Sequence, residues 1–512
     1  MLLKQKWFRS LFRRRILIAL ILVLQMGFLV YVLVSGSRLS QGIHAALTLL
    51  SILAVLFIVS KKDKGAYKVL WIFLILSFPI FGGFLYLLVH TQAPTRQMRA
   101  QLRAAREKAA PLYSLPGDGY ASAQQCLPDR FAQVRYLQNF AGFPIYDGTR
   151  VTYFPLGEDM LATLLTQLEK AEKYIFLEFF IIQEGKMWDQ ILDVLRRKAA
   201  QGVRVRVMYD DFGCFFLLPT HFAKQLREMG IECAVFNPFR PLLTFTQNNR
   251  DHRKIISIDG KVAFTGGINL ADEYINHTHP FGHWKDTAIR LEGEAVRSFL
   301  QMFLQMWQVE DRQLSFEPYL SAPIPPAEQA AGWVIPYGDC PLDDQPVGEW
   351  VYTHILNQAK RYVHIMTPYL ILGHELESAL KFAAQRGVEV TILLPGIPDK
   401  KLAFALAKGH YKALTEAGVK IYEYAPGFLH AKSFVSDDCR AVVGTVNLDY
   451  RSLSHHFECG AFLLDVPAIA AIERDFQETL KRSTRITHQK AAHPGFWWKL
   501  GGMLMKAFAP LL

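Results

Sequence analysis

The pattern His-x-Lys-x4-Asp occurs twice in this chain, as His252/Lys254/Asp259 and as His430/Lys432/Asp437, 178 residues apart. Each copy is followed by a pair of small residues and an asparagine, Gly266-Gly267-x-Asn269 and Gly444-Thr445-x-Asn447. One copy could be an accident of composition. Two copies with the same internal spacing and the same sequel describe a duplicated half-site, and a half-site with one imidazole and one ammonium is incomplete without its twin. The chain is therefore constrained to fold as two like halves that bring the copies together.

The texture between and around the motifs agrees. From about Tyr113 the sequence reads as globular α/β. Tyr174–Ile182 is a buried strand, a helix follows near 187–200, then strands at Val203–Tyr209 and Ile231–Phe236 precede the first motif. Tyr362–Leu372, a helix near 375–386, and strands at Val388–Leu394 and Val419–Tyr424 precede the second. Strand–helix alternation of this kind argues for layered α/β units. The expected organisation is a membrane region over 1–92 and a basic linker over 93–130. A first half covers 131–320, a Pro-rich linker 321–346, a second half 347–490, and a hydrophobic interfacial tail 491–512.

Three apolar stretches, Ile16–Val34, Ala45–Ser60 and Val69–Val89, open the chain. A bilayer span takes about 20 residues, so two or three transmembrane helices are expected. No small-x-small cleavage site follows the first stretch, which argues against a removed signal peptide. Lysines and arginines before the first stretch and in the second loop place both in the cytoplasm. Arg96, Arg99, Arg103, Arg106 and Lys108 follow the third stretch, so it either spans against that rule or turns back at Pro79 and Gly82-Gly83. At the other end, Trp497, Trp498 and Phe508 alternate with Lys499 and Lys506, as suits a segment lying in a membrane interface.

Charge narrows the substrate class. Residues 1–108 hold 16 Lys/Arg and two acids, whereas the remaining 404 residues hold 41 Lys/Arg against 44 Asp/Glu. The basic excess belongs to the membrane-flanking part. A nuclease concentrates positive charge on its active domain, so nucleic acid is not the expected partner. The six cysteines are scattered without a CxxC pair and read as small buried residues.

In an extended segment residues i and i+2 project to the same side. His-x-Lys therefore presents an imidazole and an ammonium together, and two copies facing each other line one cavity with two of each. Asn269 and Asn447 can add hydrogen bonds to a phosphate. That set suits a phosphodiester, with cations and amides on the non-bridging oxygens. One His attacks phosphorus and the other protonates the leaving alkoxide. Each imidazole needs a carboxylate to fix its tautomer; Asp286, 34 residues after His252, and Glu458, 28 after His430, are the candidates. Asp259 and Asp437 belong to the motif but fall on the opposite strand parity, and are expected in ion pairs or turn bonds beside the site. A metal would need three or four ligands at short range, and the lysines would repel it, so neither metal nor cofactor is expected.

These residues resemble the phospholipase D superfamily, whose signature is this duplicated motif, and within it the bacterial cardiolipin synthases. The phrases that carry the resemblance are Asn249–Gly260, Gly266–Tyr274 and Gly444–Ser452, and it extends from Val69 to the C-terminus. It implies a multi-pass enzyme of the bacterial cytoplasmic membrane. Metal-free transphosphatidylation would join two phosphatidylglycerol molecules through a phosphatidyl-histidine, with His252 as nucleophile and His430 as acid then base. Two departures stand out: His456-Phe457-Glu458 replaces the usual Asn-Phe-Glu, and three apolar stretches replace the usual two. The competing readings are a hydrolase or a transferase to another alcohol or lipid, a nuclease, and a non-enzymatic membrane scaffold. Retention of both His, Lys, Asn and carboxylate sets argues against the last.

Overall fold

The computed structural model describes residues 38–61, 64–78, 93–113, 118–238, 248–343 and 345–492, with single positions among 23–31 and 82–87. Two compact units result, one confined to the chain before Gln97 among the described residues, the other covering 97–238 and 248–492.

In the smaller unit, Arg38–Ser60 is a helix whose apolar part, Gln41–Ser60, is long enough to cross a bilayer. Leu49, Leu50, Leu53, Leu56 and Phe57 are exposed along it, as lipid would favour. A second helix, Gly65–Ser77, packs Trp71 and Ile75 against Ile58, with the Tyr86 ring edge-on to Trp71 at 5.2 Å. Among the described residues one helix, not two or three, has the length and composition of a span. The apolar segment of the second helix, Tyr67–Ser77, is too short. Ile16–Val34 lies largely outside the described residues, as does nearly all of the expected interfacial tail.

The larger unit holds two sheets with the same plan. In chain-spatial order the first runs Thr149–Phe154, Ala288–Gly293, Val262–Gly266, Ile255–Ile258, Tyr174–Phe179, Arg204–Asp210, Glu232–Phe236. The second runs Trp333–Asp339, His456–Leu464, Arg440–Gly444, Ser433–Ser436, Tyr362–Met366, Glu389–Pro395, Lys420–Tyr424, and adds Ser483–Ile486 at its far edge. Strand for strand the two orders are identical, which makes the internal duplication a structural fact. Parallel neighbours occur where a helix returns the chain, as Lys186–Ala200 does between Tyr174–Phe179 and Arg204–Asp210. The central strand Tyr174–Phe179 is buried along its whole length, consistent with a run that is apolar except at Glu178.

The sheets share one core. Ile255, Ala263, Ile289 and Leu291 of the first meet Val435, Val443, Ala461 and Leu463 of the second in a single buried cluster. Two short strands also cross between halves. Arg250–Asp251 pairs in parallel with His456-Phe457, and Gly427–Leu429 pairs in parallel with His283–Lys285.

Three of the expected segments carry more structure than their composition suggested. The 93–130 segment is largely helical, as Ala93–Tyr113 and Asp118–Cys126. Ala123, Leu127, Val134 and Leu137, before the first sheet in sequence, pack into the core of the second half. The Pro-rich 321–346 stretch is not only a linker, since Trp333–Asp339 is an edge strand of the second sheet. Pro336 is tolerated because an edge strand leaves one side without a ladder partner, so its missing N–H is not needed.

Candidate active site

The first motif sits where the chain passes from the other half's sheet to its own. Arg250–Asp251 lies beside His456-Phe457, and the backbone N–H of His252 donates to the Phe457 carbonyl at 2.9 Å. Three residues later the chain enters Ile255–Ile258. Alternation sends Arg253 to the opposite side, into buried ion pairs with Glu178 (2.6 Å) and Asp251 (3.2 Å). The second motif repeats the design: after Gly427–Leu429 the N–H of His430 donates to the Lys285 carbonyl at 2.7 Å.

That backbone contact fixes which carboxylate each imidazole meets. The residue after Phe457 is Glu458, whose two oxygens lie 3.0 and 2.9 Å from His252 Nδ1. The residue after Lys285 is Asp286, whose Oδ2 lies 2.6 Å from His430 Nδ1. The carboxylates are therefore exchanged between halves, each orienting the imidazole of the motif it does not follow in sequence. Nδ1 faces the carboxylate in both cases, which leaves both Nε2 atoms for chemistry.

The small residues of each motif shape the seats of these carboxylates. A Cβ on Gly267 would stand 2.1 Å from Asp286 Oδ1, so only glycine leaves room there. At the equivalent place in the second half Thr445 donates its hydroxyl to Glu458 Oε2, and Ser452 donates to Oε1 at 2.5 Å. Burial would raise Asp286, but the charges of His430 and Lys432 outweigh it and hold the carboxyl below its usual range. Burial pushes Glu458 up and His252 down, which favours the neutral form of each.

Lys254 and Lys432 are buried beside their histidines. Lys254 Nζ donates to the His252 carbonyl at 2.7 Å, and Lys432 Nζ to the His430 carbonyl. Lys432 Nζ also stands 2.8 Å from His430 Nδ1. Burial lowers Lys254 to about 8, Lys432 to about 7 and His430 to about 4. Both histidines feel the opposite motif's lysine, which brings all four groups into one buried cluster. Phe180 flanks His252 at 5.0 Å between ring centres, and Tyr274, Trp284 and Phe428 surround His430 at 5.4 to 5.7 Å. Such walls limit water.

The remaining motif residues divide. Asn269 is held by its neighbours, its amide donating to the Tyr274 hydroxyl at 2.7 Å and its oxygen accepting from Ile181 N–H at 3.1 Å. Asn447 Oδ1 is buried without a hydrogen-bond partner. Asp259 and Asp437 do not join the cluster, although the motif groups them with the catalytic residues. Each sits in a left-handed turn (φ 53° and 56°) and accepts the first N–H groups of a central strand: Glu172, Lys173 and Tyr174 for Asp259, and Lys360, Arg361 and Tyr362 for Asp437. An aspartate seven positions after the His is carried past the end of its own strand, where it caps the neighbour instead.

Sequence reasoning overlooked the neighbours of Glu458. Thr445 and Ser452 gave no spacing signal beyond their place after the second motif, and His456 was visible only as a departure from the family pattern. His456 lies 5.5 Å from the His252 ring, with neither ring nitrogen hydrogen-bonded. Together His252, His456 and Glu458 form the one three-ligand cluster that could hold a metal ion among the described residues, against the expectation that ligands are too few.

The fold and the paired His–Lys cluster define a phospholipase D-like enzyme of phosphodiester chemistry. Residues 164–307 and 352–480 match the family described as "Cardiolipin synthase, PLD-like domain", and residues 49–89 match "Phospholipase_D-nuclease N-terminal". A cardiolipin synthase from Geobacillus kaustophilus is 34% identical over 92% of this chain and 94% of its own length. A Streptococcus mutans protein without assigned function is 48% identical over 90% of this chain and 99% of its own. The crystal structure of phosphatidylserine synthase from Haemophilus influenzae shares the fold, with a TM-score of 0.55 at 15% identity, over 74% of this chain and 97% of that one. The chain belongs to the cardiolipin synthase family, and is a phosphatidyltransferase.

Proposed function

We propose that the protein joins two phosphatidylglycerol molecules into cardiolipin and glycerol, through a phosphatidyl group carried on His252. The observation that carries this reading is the exchanged pair of His–carboxylate couples, each with a buried lysine beside it. His252 Nε2 attacks phosphorus while the bond to the first glycerol headgroup breaks, and His430 gives its Nε2 proton to that departing oxygen. His430 then takes the proton of a hydroxyl on the second phosphatidylglycerol. That oxygen attacks phosphorus and the P–N bond breaks, so the enzyme is restored.

The two couples differ in a way that supports these roles. Asp286 is held ionised and works against the burial that lowers His430 to about 4, and an arriving phosphodiester anion adds to that pull toward the imidazolium an acid needs. Burial favours the neutral forms of Glu458 and His252, which suits a neutral nucleophile. Lys254, Lys432 and Asn447 supply the donors for the non-bridging oxygens, and Asn269 the scaffold of Tyr274. No metal enters these steps. The N-terminal region is a multi-pass membrane anchor in this reading, supported by the Gln41–Ser60 helix and the apolar Ile16–Val34 and Val69–Val89 sequences.

The test is mass spectrometry of lipids after incubating purified protein with phosphatidylglycerol vesicles in EDTA. Cardiolipin with free glycerol is the expected result. Phosphatidic acid with glycerol would make water the acceptor and the protein a hydrolase. No product from phosphatidylglycerol would refute this donor.

A further inference from the structure

His456 is a partly buried imidazole that the transfer reaction does not use. Its Nδ1 stands 3.7 Å from Glu458 Oε1, beyond hydrogen-bonding range, and both ring nitrogens are without hydrogen-bond partners. On the other side of the same carboxylate, His252 Nδ1 lies 3.0 Å from Oε1 and 2.9 Å from Oε2. The three side chains thus offer two imidazole nitrogens and a carboxylate oxygen, all within 4.8 Å of one another.

Two of those separations are close to what a tetrahedral zinc ion needs. With bonds of about 2.0–2.1 Å to nitrogen and oxygen, neighbouring ligand atoms of zinc lie about 3.3 Å apart. His252 Nδ1 to Glu458 Oε1 is slightly under that figure and His456 Nδ1 to Glu458 Oε1 slightly over it, while the two imidazole nitrogens lie within 4.8 Å, so His456 must rotate toward His252 to complete the triangle. Lys254 Nζ bonds to the His252 carbonyl and Lys432 Nζ to that of His430, but both ammonium groups still act on Glu458, so an entering cation competes with their charge. Thr445 and Ser452 hold the carboxylate in place from behind.

We propose that His252, His456 and Glu458 form an inhibitory site for zinc, in which the ion replaces the proton of the hydrogen bond between His252 Nδ1 and Glu458. The proton leaves to solvent, and three protein ligands leave a fourth position for water or a phosphate oxygen. Zinc on Nδ1 draws electron density from the His252 ring and fixes it, so Nε2 no longer attacks phosphorus. This last clause rests on His252 being the nucleophile; the binding site itself does not. His456 stands where the family pattern has asparagine, so sensitivity to zinc would distinguish this chain from relatives that keep the amide.

The test uses the full-length protein in detergent, stripped with EDTA and desalted. Zinc chloride is titrated by calorimetry, and lipid transfer is measured in parallel with and without zinc. One zinc per chain is expected, weakened at least about tenfold in His456→Asn, since even outer-shell changes cost that much. Each variant's rate in zinc is compared with its own zinc-free rate, and His456→Asn should lose most of the inhibition. Glu458→Gln should lose the binding too, with its melting temperature compared with the parent's to show that it folds. Two results overturn the proposal: a parent that binds no zinc, or His456→Asn binding and being inhibited like the parent. If the parent shows no lipid transfer at all, the proposed function fails while calorimetry still decides the zinc site.

Discussion

Replacing Asp286 by asparagine should disable the second motif while sparing the fold. Asp286 Oδ1 accepts the Thr287 N–H at 2.8 Å, and Oδ2 meets His430 Nδ1 at 2.6 Å. An asparagine that keeps its oxygen on Thr287 presents its amide N–H2 to Nδ1. The imidazole then accepts at Nδ1 and carries its proton on Nε2, so it cannot receive the proton of the incoming hydroxyl. It also loses the anion that stabilises its charged form, which at about 4 Å and an effective dielectric of 20 is about 4 kcal/mol. A tautomer error of this kind costs about 10⁴-fold in a Ser-His-Asp site, or about 5.5 kcal/mol. The two figures agree on a loss of about 10³- to 10⁴-fold in kcat. The assay is the initial rate of cardiolipin formation from phosphatidylglycerol in mixed micelles, with melting temperature as the control for folding. A folded Asp286→Asn enzyme within tenfold of the parent would refute the assignment of Asp286 to His430.

Three further outcomes are expected. Gly267→Ala should lower activity steeply, about 10²-fold, because a 1 Å displacement of a catalytic group costs that much and the new Cβ would meet Asp286 Oδ1 at 2.1 Å; steady-state rates near the parent's would contradict it. Asp259→Ala should destabilise the fold by about 2–4 kcal/mol through three lost hydrogen bonds to a carboxylate. Asp259→Asn, which tolerates the left-handed turn, should do less, and thermal unfolding with the rate per folded molecule separates stability from chemistry. The lysines set an alkaline limit. Each is charged below its pKa and neutral above it, so with Lys432 at about 7 and Lys254 at about 8 the phosphate-binding charge fades as pH rises through 7 to 8. Since kcat/KM reports the free enzyme, it should fall across that interval, and a flat profile to pH 9 would count against ammonium binding of phosphate.

Much of the larger unit was legible because its signals are local. An aromatic and aliphatic run such as Tyr174–Phe179, interrupted only by Glu178, reads as a buried strand, and the repeated motif required two equivalent halves. Features set by exchange between halves were not legible. Nothing near Gly427–Leu429, three residues long, says that it pairs with His283–Lys285, yet that pairing decides which carboxylate reaches His430. The helices of 118–139 precede the first sheet in sequence and pack in the second half, a tertiary choice without a local signature. Pro336 made the edge strand read as linker, because proline marks a turn and a sheet edge alike. His456 is a single substitution, and only its distance from His252 and Glu458 gives it meaning.

The crossing of the carboxylates also bears on how the two halves can change. In a duplicated protein each copy is ordinarily free to drift toward its own task. Here a substitution at residue 286 is felt as proton chemistry at residue 430, and one at 458 is felt at 252. Neither half carries a complete couple of its own, so the copies are bound to one another as lock and counter-lock. The two could be divided onto separate chains only if those chains met again as they folded.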